Sequence, residues 1–325
     1  MQSDTPAALG LDVGGHGIKA ALVDGAGRVL HFEKREIAAL GGRAVDAVEE
    51  RLVELVAALD ASAAELGVET PLPIGVGIPG FHDRRTGLLR QSPNFPGWED
   101  VAVAARLTER LGRPVITEND ANAAVLGEAW AGAAKGCDDV LMLTLGTGVG
   151  SGILVGGHLV RGHAGAGAEA GHFALYPGGR KCGCGQRGCF ERYASGPALV
   201  ETAEEAWFEE GQTGDLPVTS AREVFELEAE TGVRPDLWAS RAIERWSLDL
   251  GMGLASLVHI LSPGAIVIGG GLIGAWDRFA DPAQAALSKR THPAIRGDVL
   301  PLRRAALGEA AGAVGAAAAA LGHGS

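Results

Sequence analysis

The chain is poor in cysteine, carries no excess of positive charge and contains no long uninterrupted apolar run. Its 325 residues hold four cysteines, too few for the disulfide framework of a small secreted domain. Acidic residues outnumber basic ones, 40 against 28, for a net charge of −12. That balance argues against nucleic acid as the main partner. The longest apolar region, 251–273, is broken by His259, Ser262, Pro263 and several glycines. It reads as helix, turn and buried strand, not as a membrane span. The opening MQSDTPAALGLDVGG has no basic segment ahead of an apolar core, so it does not read as a signal peptide. Together these absences predict a cytoplasmic protein with no membrane and no nucleic-acid partner. The length is enough for a large core and for two domains.

Three of the four cysteines sit together, at 182, 184 and 189, and His172 precedes them in EAGHFALYPGGRKCGCGQRGCFE, residues 169–191. One imidazole and three thiolates make a complete tetrahedral zinc set with no open position for chemistry, so the metal is expected to be structural. Glycines at 183, 185 and 188 let the backbone wrap tightly around one ion. A disulfide within Cys-x-Cys would be strained. Glu169 and Glu191 flank the cluster and would be carried by the same metal-tied loop. Cys137 stands apart and reads as a small core or surface residue.

Glycine is abundant, at 50 residues, and concentrated at the ends of apolar runs. Strands are predicted at 9–13, 18–23, 29–36, 74–78 and 115–117, with helices over 44–66 and 120–134. A second series follows: strands at 140–145, 152–155, 158–161 and 265–268, an acidic helix over 203–230, and helices over 237–261 and 308–321. Strand, glycine turn, hairpin, helix and strand thus occur twice, starting near residues 9 and 140. This pattern predicts a duplicated α/β architecture with a cleft between the halves. The expected domains are 1–118 plus 305–325, with the last helix crossing back, and 119–304.

Three glycine turns suit phosphate or nucleotide, because successive backbone N–H groups form an anion-binding concavity. The first is DVGGHGIK, 12–19, in which Asp12 could hold Mg²⁺ through water and Lys19 either aids the phosphates or sits solvated on a strand. The second is LGTGVGSG, 145–152. The third is IVIGGGLIG, 266–274, a strand-to-helix junction suited to adenosine. Each turn taken singly is equally open to a reading as tight packing. The dinucleotide pattern G-x-G-x-x-G occurs at 75–80 and 269–274, in neither case in an N-terminal βαβ setting with an acidic residue about 20 positions on.

Glu118-Asn119-Asp120 lies where a strand meets a helix. Asp120 is the candidate general base, and either Asn119 or Asp120 could serve as N-cap. Asn119 would hydrogen-bond a second hydroxyl. Glu169 and His172 would share a face if their turn is helical. Glu169 and Glu191 would accept hydrogen bonds from sugar hydroxyls, or be solvated surface charge. In the loop 93–98, Asn94 could reach a hydroxyl and Trp98 could stack on a ligand, or either could staple the loop.

DVGGxxIK, ENDANAA, LGTGVGSGI, ExGH, CxCGxxGCxE and IVIGGG in this order give a chain that resembles the ROK family of sugar kinases over nearly its whole length. The resemblance implies the two-domain actin-like ATPase (ribonuclease H-like) fold. It implies a hexose kinase using ATP and Mg²⁺, with glucose the first candidate and N-acetylglucosamine, N-acetylmannosamine, mannose or fructose as alternatives. Asp120 matches the base that takes the proton from the C6 hydroxyl. Asn119, Glu169, His172 and Glu191 match sugar contacts, and Gly80 and Asn94 do so more loosely. His172, Cys182, Cys184 and Cys189 match the zinc ligands. Asp12, Gly14, Gly15, Gly146, Thr147, Gly148, Gly270 and Gly271 match the nucleotide site. The family's usual threonine after DVGG is His16 here, which opens polyphosphate as an alternative donor. Family members are often homodimers or homotetramers. The family's repressors carry a DNA-binding segment before the DVGG strand, whereas eleven residues precede Asp12 here, so a kinase is expected and a non-catalytic sugar-binding regulator is less favoured.

Overall fold

The computed structural model describes residues 6–15, 17–37, 44–234, 237–298 and 301–325. It divides into two compact units: Met1–Met142 with Gly152–Ala168 and Ala305–Ser325, and Leu143–Ser151 with Glu169–Arg304.

The first unit is built on a five-stranded sheet. Its strands are β1 (Ala8–Val13), β2 (Gly17–Val23), β3 (Val29–Glu36), β4 (Ile74–Gly77) and β8 (Val115–Glu118), in the order β3-β2-β1-β4-β8. The intervening β5 (Phe81–Asp83), β6 (Leu88–Gln91) and β7 (Glu99–Val101) form a small separate sheet. Side-chain alternation in β1 decides what covers each face. Leu9, Leu11 and Val13 share a buried cluster with Leu52, Leu55, Val56 and Leu59 of helix α1 (Val45–Glu65). The opposite face carries Ala8, Gly10 and Asp12, and there helix α9 (Ala311–Ala320) lies against the strands through Ala313, Val314 and Ala317. Each fully buried leucine on the α1 side contributes roughly 1.5–3 kcal/mol.

Glu49 is fully buried within α1, a position the apolar spacing does not announce. It is paired with Arg106 of α2 (Val103–Leu111), whose Nε and Nη2 donate to its two oxygens at 2.6 and 2.9 Å. A bidentate guanidinium is the partner a buried carboxylate needs.

Helix α3 (Asp120–Ala131) also belongs to the first unit, where the sequence expectation placed everything from 119 to 304 in the second. The physical reason is close approach to α9. An ideal Cβ at Gly315 would lie 1.5 Å from the Ala123 carbonyl oxygen, and one at Gly127 would lie 2.4 Å from that of Ala311. Residues 305–325 return to the first unit.

The second sheet repeats the first. Its strands β9 (Val140–Leu145), β10 (Val149–Val155), β11 (His158–Leu159), β12 (Ala265–Gly269) and β13 (Leu302–Arg304) take the order β11-β10-β9-β12-β13. Matched position by position, this is the order of the first sheet, as the duplication predicts. The unit boundary falls within β9 and β10.

The second unit's helices are α4 (Glu191–Ala194), α5 (Gly196–Glu209), α6 (Ala221–Thr231), α7 (Trp238–Leu261) and α8 (Trp276–Arg290). The single helix expected over 203–230 is two. Gly211 and Gly214 adopt positive φ between them, and Ser220 restarts the helix with a full capping box to Glu223. The helix expected after the 266–274 junction is α8; a 3₁₀ turn, Gly271–Ala275, delays its start, and Pro282 inside it hides its extent in the sequence. Among the described residues no helix is long and apolar enough to cross a membrane.

Candidate active site

In the first unit the antiparallel register of β1 and β2 sets Asp12 opposite Lys19. Lys19 Nζ lies 3.5 Å from Asp12 Oδ2. Burial pushes the Asp12 carboxyl above the usual carboxylate range, and the Lys19 ammonium pulls it back. Lys19 is half-buried on β2, its side chain 28% exposed. Between Asp12 and Lys19 the turn is closed by Gly14 N–H donating to the Gly17 carbonyl at 2.8 Å. His16 lies outside the described residues. Gly15 neighbours Asn94, whose side chain is exposed and would be 3.8 Å from a Cβ placed at 15.

Gly312 of α9 backs Asp12 so closely that a Cβ there would sit 2.5 Å from the Asp12 Cγ. Sequence reasoning missed this residue. The small-residue run AGAVG, 311–315, is the only signal that could have found it. Trp98 is 1% exposed and packs on Phe95 at a centroid separation of 5.0 Å. It staples the loop and is not available to stack on a ligand.

Asn119 is the N-cap of α3. Its Oδ1 accepts from the Ala121 and Asn122 amides at 2.9 and 3.2 Å, and its Nδ2 donates to the Gly80 carbonyl at 3.1 Å. Asp120 is the first helical residue and is half-buried. Gly80 has φ +134°, and a Cβ there would lie 2.3 Å from the Gln91 carbonyl oxygen, so only glycine fits this corner without rearrangement. The structure thus brings Gly80, Asn119 and Asp120 together around one strand-to-helix turn.

In the second unit the turn 145–149 is closed by Gly146 N–H donating to the Gly148 carbonyl at 3.0 Å. The Gly196 amide also donates to the Gly146 carbonyl, at 2.8 Å. Glu191 ties this turn to the cysteine loop. Its Oε2 accepts from the Val149 amide at 3.2 Å, and its Oε1 lies 3.6 Å from Cys182 Sγ. Glu169 precedes a 3₁₀ turn, Ala170–His172, that places His172 three residues on. Withdrawal from water raises the Glu169 pKa, with His172 opposing the rise and Glu191 adding to it. Glu169, His172, Glu191 and the 146–148 turn therefore form one group within this unit.

The ligand atoms of His172, Cys182, Cys184 and Cys189 all lie within 4.8 Å of one another. The Cys184–Cys189 sulfurs are 3.6 Å apart, and Cys182 Sγ is 3.8 Å from His172 Nδ1. A tetrahedral zinc with Zn–S bonds of 2.3 Å has edges of about 3.8 Å, so the donor set fits zinc. It does not fit a disulfide, whose sulfurs bond at about 2.05 Å. Burial pushes the Cys182 thiol up and Cys189 up to about 12, while the Gln186 backbone amide pulls Cys184 down. The loop is fixed from outside by Arg180, which donates to the Arg192 carbonyl and to Glu205 and lies over the Tyr193 ring at 5.0 Å. Cys137 is half-buried in the first unit and takes part in no disulfide.

Gly270 and Gly271 lie where β12 ends. A Cβ at Gly270 would lie 2.4 Å from the Leu145 carbonyl oxygen, so Gly270 serves close packing of the two strand ends. Gly271 instead opens onto a cavity of about 620 Å³ that is also lined by Arg222, Phe225, Leu272, Ala275 and Arg278. Its size is that of a small-molecule site.

A profile of the ROK family matches residues 8–323. The chain belongs to the ROK family. This ROK protein is 35% identical to a glucokinase of Thermotoga maritima, over 95% of each chain. Its fold is similar to that of a ROK hexokinase from Thermus thermophilus, at 38% identity and TM-score 0.76, covering 96% of this chain and 97% of that one. It is also similar to a ROK family glucokinase from Streptomyces griseus solved with glucose and AMPPNP, at 32% identity and TM-score 0.72, covering 96% and 98%. The fold of this ROK protein is the actin-like ATPase fold that the resemblance implies.

Proposed function

We propose that this ROK protein is an ATP-dependent glucokinase that transfers the γ-phosphate to the C6 hydroxyl of glucose, with Asp120 as general base. The observation that carries the assignment is the Asn119-Asp120 turn, where the cap is supplied by Asn119 and Asp120 begins α3. Asn119, Asn94, Gly80, Glu169, His172 and Glu191 would hold the sugar. Support comes from the identity to glucokinases and from the relative crystallised with glucose and AMPPNP. The glycine turns 14–15 and 146–148 would take the phosphates, and the cavity at Gly271 the adenosine. Asp12 with Lys19 would stand beside the Mg²⁺, which neutralises developing charge on the transferred group. Nucleic acid is not part of this function. ADP release measured over a panel of hexoses, with polyphosphate as a competing donor, tests the reading. Turnover confined to another hexose would replace glucose, and absence of turnover on all would overturn it.

Two further expectations concern the binding residues. Removing the Lys19 charge takes away what holds the Asp12 pKa down, so Lys19→Met should raise that pKa further. The acidic limb of kcat/KM for Mg-ATP should then move to higher pH, with the two proteins converging at alkaline pH. Superimposable profiles would separate Lys19 from Asp12. Chelating the zinc should release the loop that carries Glu191 and Glu169. Glucose KM should rise on the order of tenfold, about the loss of one hydrogen bond to a charged group, while kcat changes little. Metal content and glucose KM measured together before and after chelation check this. An unchanged KM in metal-free, folded protein would remove the bracing role.

A further inference from the structure

Behind the Asn119-Asp120 turn lies a chain of polar contacts that the proposed chemistry does not use. Glu118 ends β8 and is buried. Its Oε1 accepts from the Asn119 amide at 3.0 Å and from Asn122 Nδ2 at 2.9 Å. Its Oε2 accepts from Arg161 Nε at 2.7 Å, in a pair whose side chains are 10% and 12% exposed. Arg161 is fixed in turn: Nη1 donates to the Gly324 carbonyl at 2.7 Å. Its own carbonyl accepts from the Gly167 amide at 2.9 Å, closing the loop 161–167. A small cavity of about 190 Å³ lies along the pair, lined by His82, Arg84, Thr117 and Gly165.

Both of these donors to Glu118 Oε1 lie at the start of α3, on its N-cap and in its first turn. Rotation of this carboxylate would release the Asn119 amide and the Asn122 side chain together. Alone, the carboxylate could turn toward the cavity. The guanidinium, which presents donors in a rigid fork, prevents this. We propose that Arg161 is a positioning residue for phosphoryl transfer: by clamping Glu118 it holds the turn that carries Asp120 in reacting geometry. The proposal rests on Asp120 as the base. It gives a role to a residue 41 positions from Asp120 in sequence, whose side chain hydrogen-bonds Glu118 and the Gly324 carbonyl.

The test is steady-state kinetics on the full-length protein carrying Arg161→Met, Arg161→Lys, Glu118→Gln and the double variant Arg161→Met/Glu118→Gln, with Asp120→Asn as reference. Folded fraction is measured by circular dichroism at the assay temperature. Misplacement by about 1 Å can cost on the order of 10²-fold in rate. Arg161→Met should therefore lower kcat by roughly 10- to 100-fold per folded molecule, with ATP KM within about twofold. Arg161→Lys, which can still reach Glu118 but not Gly324 as well, should recover part of the loss. The double variant should be no slower than the slower single one, because both changes break one contact. A merely structural role would lower the folded fraction and leave kcat per folded molecule unchanged. That result, or losses that simply multiply in the double variant, would overturn the proposal. If Arg161→Met does not fold, Arg161→Lys and Glu118→Gln decide by the same split. Full activity in Asp120→Asn would instead overturn the assignment of the base.

Discussion

Asp120→Asn is expected to lower kcat by ~10²–10⁴, the range typical of a lost general base, while glucose affinity changes by no more than about threefold, within a single weak hydrogen bond. The substitution keeps the size of the side chain and its capacity to accept a hydrogen bond, and it removes the ability to take a proton. A role as helix cap would confuse the result, since capping residues contribute about 1 kcal/mol. The structure assigns the cap to Asn119, whose Oδ1 accepts from both Ala121 and Asn122, so the helix should survive the change. In phosphoryl transfer the transition state is loose and the proton is accepted late, so placement counts for more than basicity. Calorimetric titration with glucose beside a coupled ADP assay separates the two quantities. Wild-type kcat in the variant would sink the assignment; loss of glucose binding with normal kcat at saturation would make Asp120 a sugar contact only.

Much of this site was legible before the structure because its residues occur in compact runs. Asp12 and Lys19 stand seven apart on a hairpin whose turn is marked by glycines, so the register that faces them follows from the sequence. The donor cluster of His172, Cys182, Cys184 and Cys189 announces itself by spacing. Less legible were contacts between distant segments. Gly312 against Asp12, Arg106 on the buried Glu49, and Arg161 on Glu118 each join elements more than 40 residues apart. No local periodicity records such pairs. The acidic stretch 203–230 misled because two acidic helical runs flank a breaker segment, GQTGDLPVTS at 211–220, in which Gly211 and Gly214 take positive φ. Trp98 shows a further limit, because an aromatic residue in a proline-bounded loop has the same sequence appearance whether it is buried or meets a ligand.

The glycines themselves divide by function, and this leads to the largest expected effect on stability. Sequence reasoning took glycine clusters at strand ends as places where backbone meets ligand. Gly10 and Gly75 lie within β1 and β4 and meet another helix instead. An ideal Cβ at Gly10 would be 1.8 Å from the Ala313 carbonyl oxygen, and one at Gly75 would be 1.8 Å from that of Ala316. The obstacle is helix backbone, which cannot swing aside as a side chain does. Overpacking of cores costs typically 1–3 kcal/mol and sometimes more, and a rigid obstacle on α9 puts Gly75→Val at or above the top of that range. For a unit of this size each kcal/mol shifts Tm by about 2–4 °C, so a fall of roughly 10 °C or more is expected, or failure to fold. Gly297→Ala, where a Cβ meets nothing within 4 Å, should leave Tm unchanged. The milder Gly75→Ala is the more informative variant. Because Gly312 on the same helix abuts Asp12, any outward shift of α9 should weaken Mg-ATP use even in molecules that remain folded. Thermal melts and ATP KM measured on the same preparation check both effects. A Gly75→Ala protein with unaltered Tm would mean that α9 is not seated on β4 as closely as the structure has it.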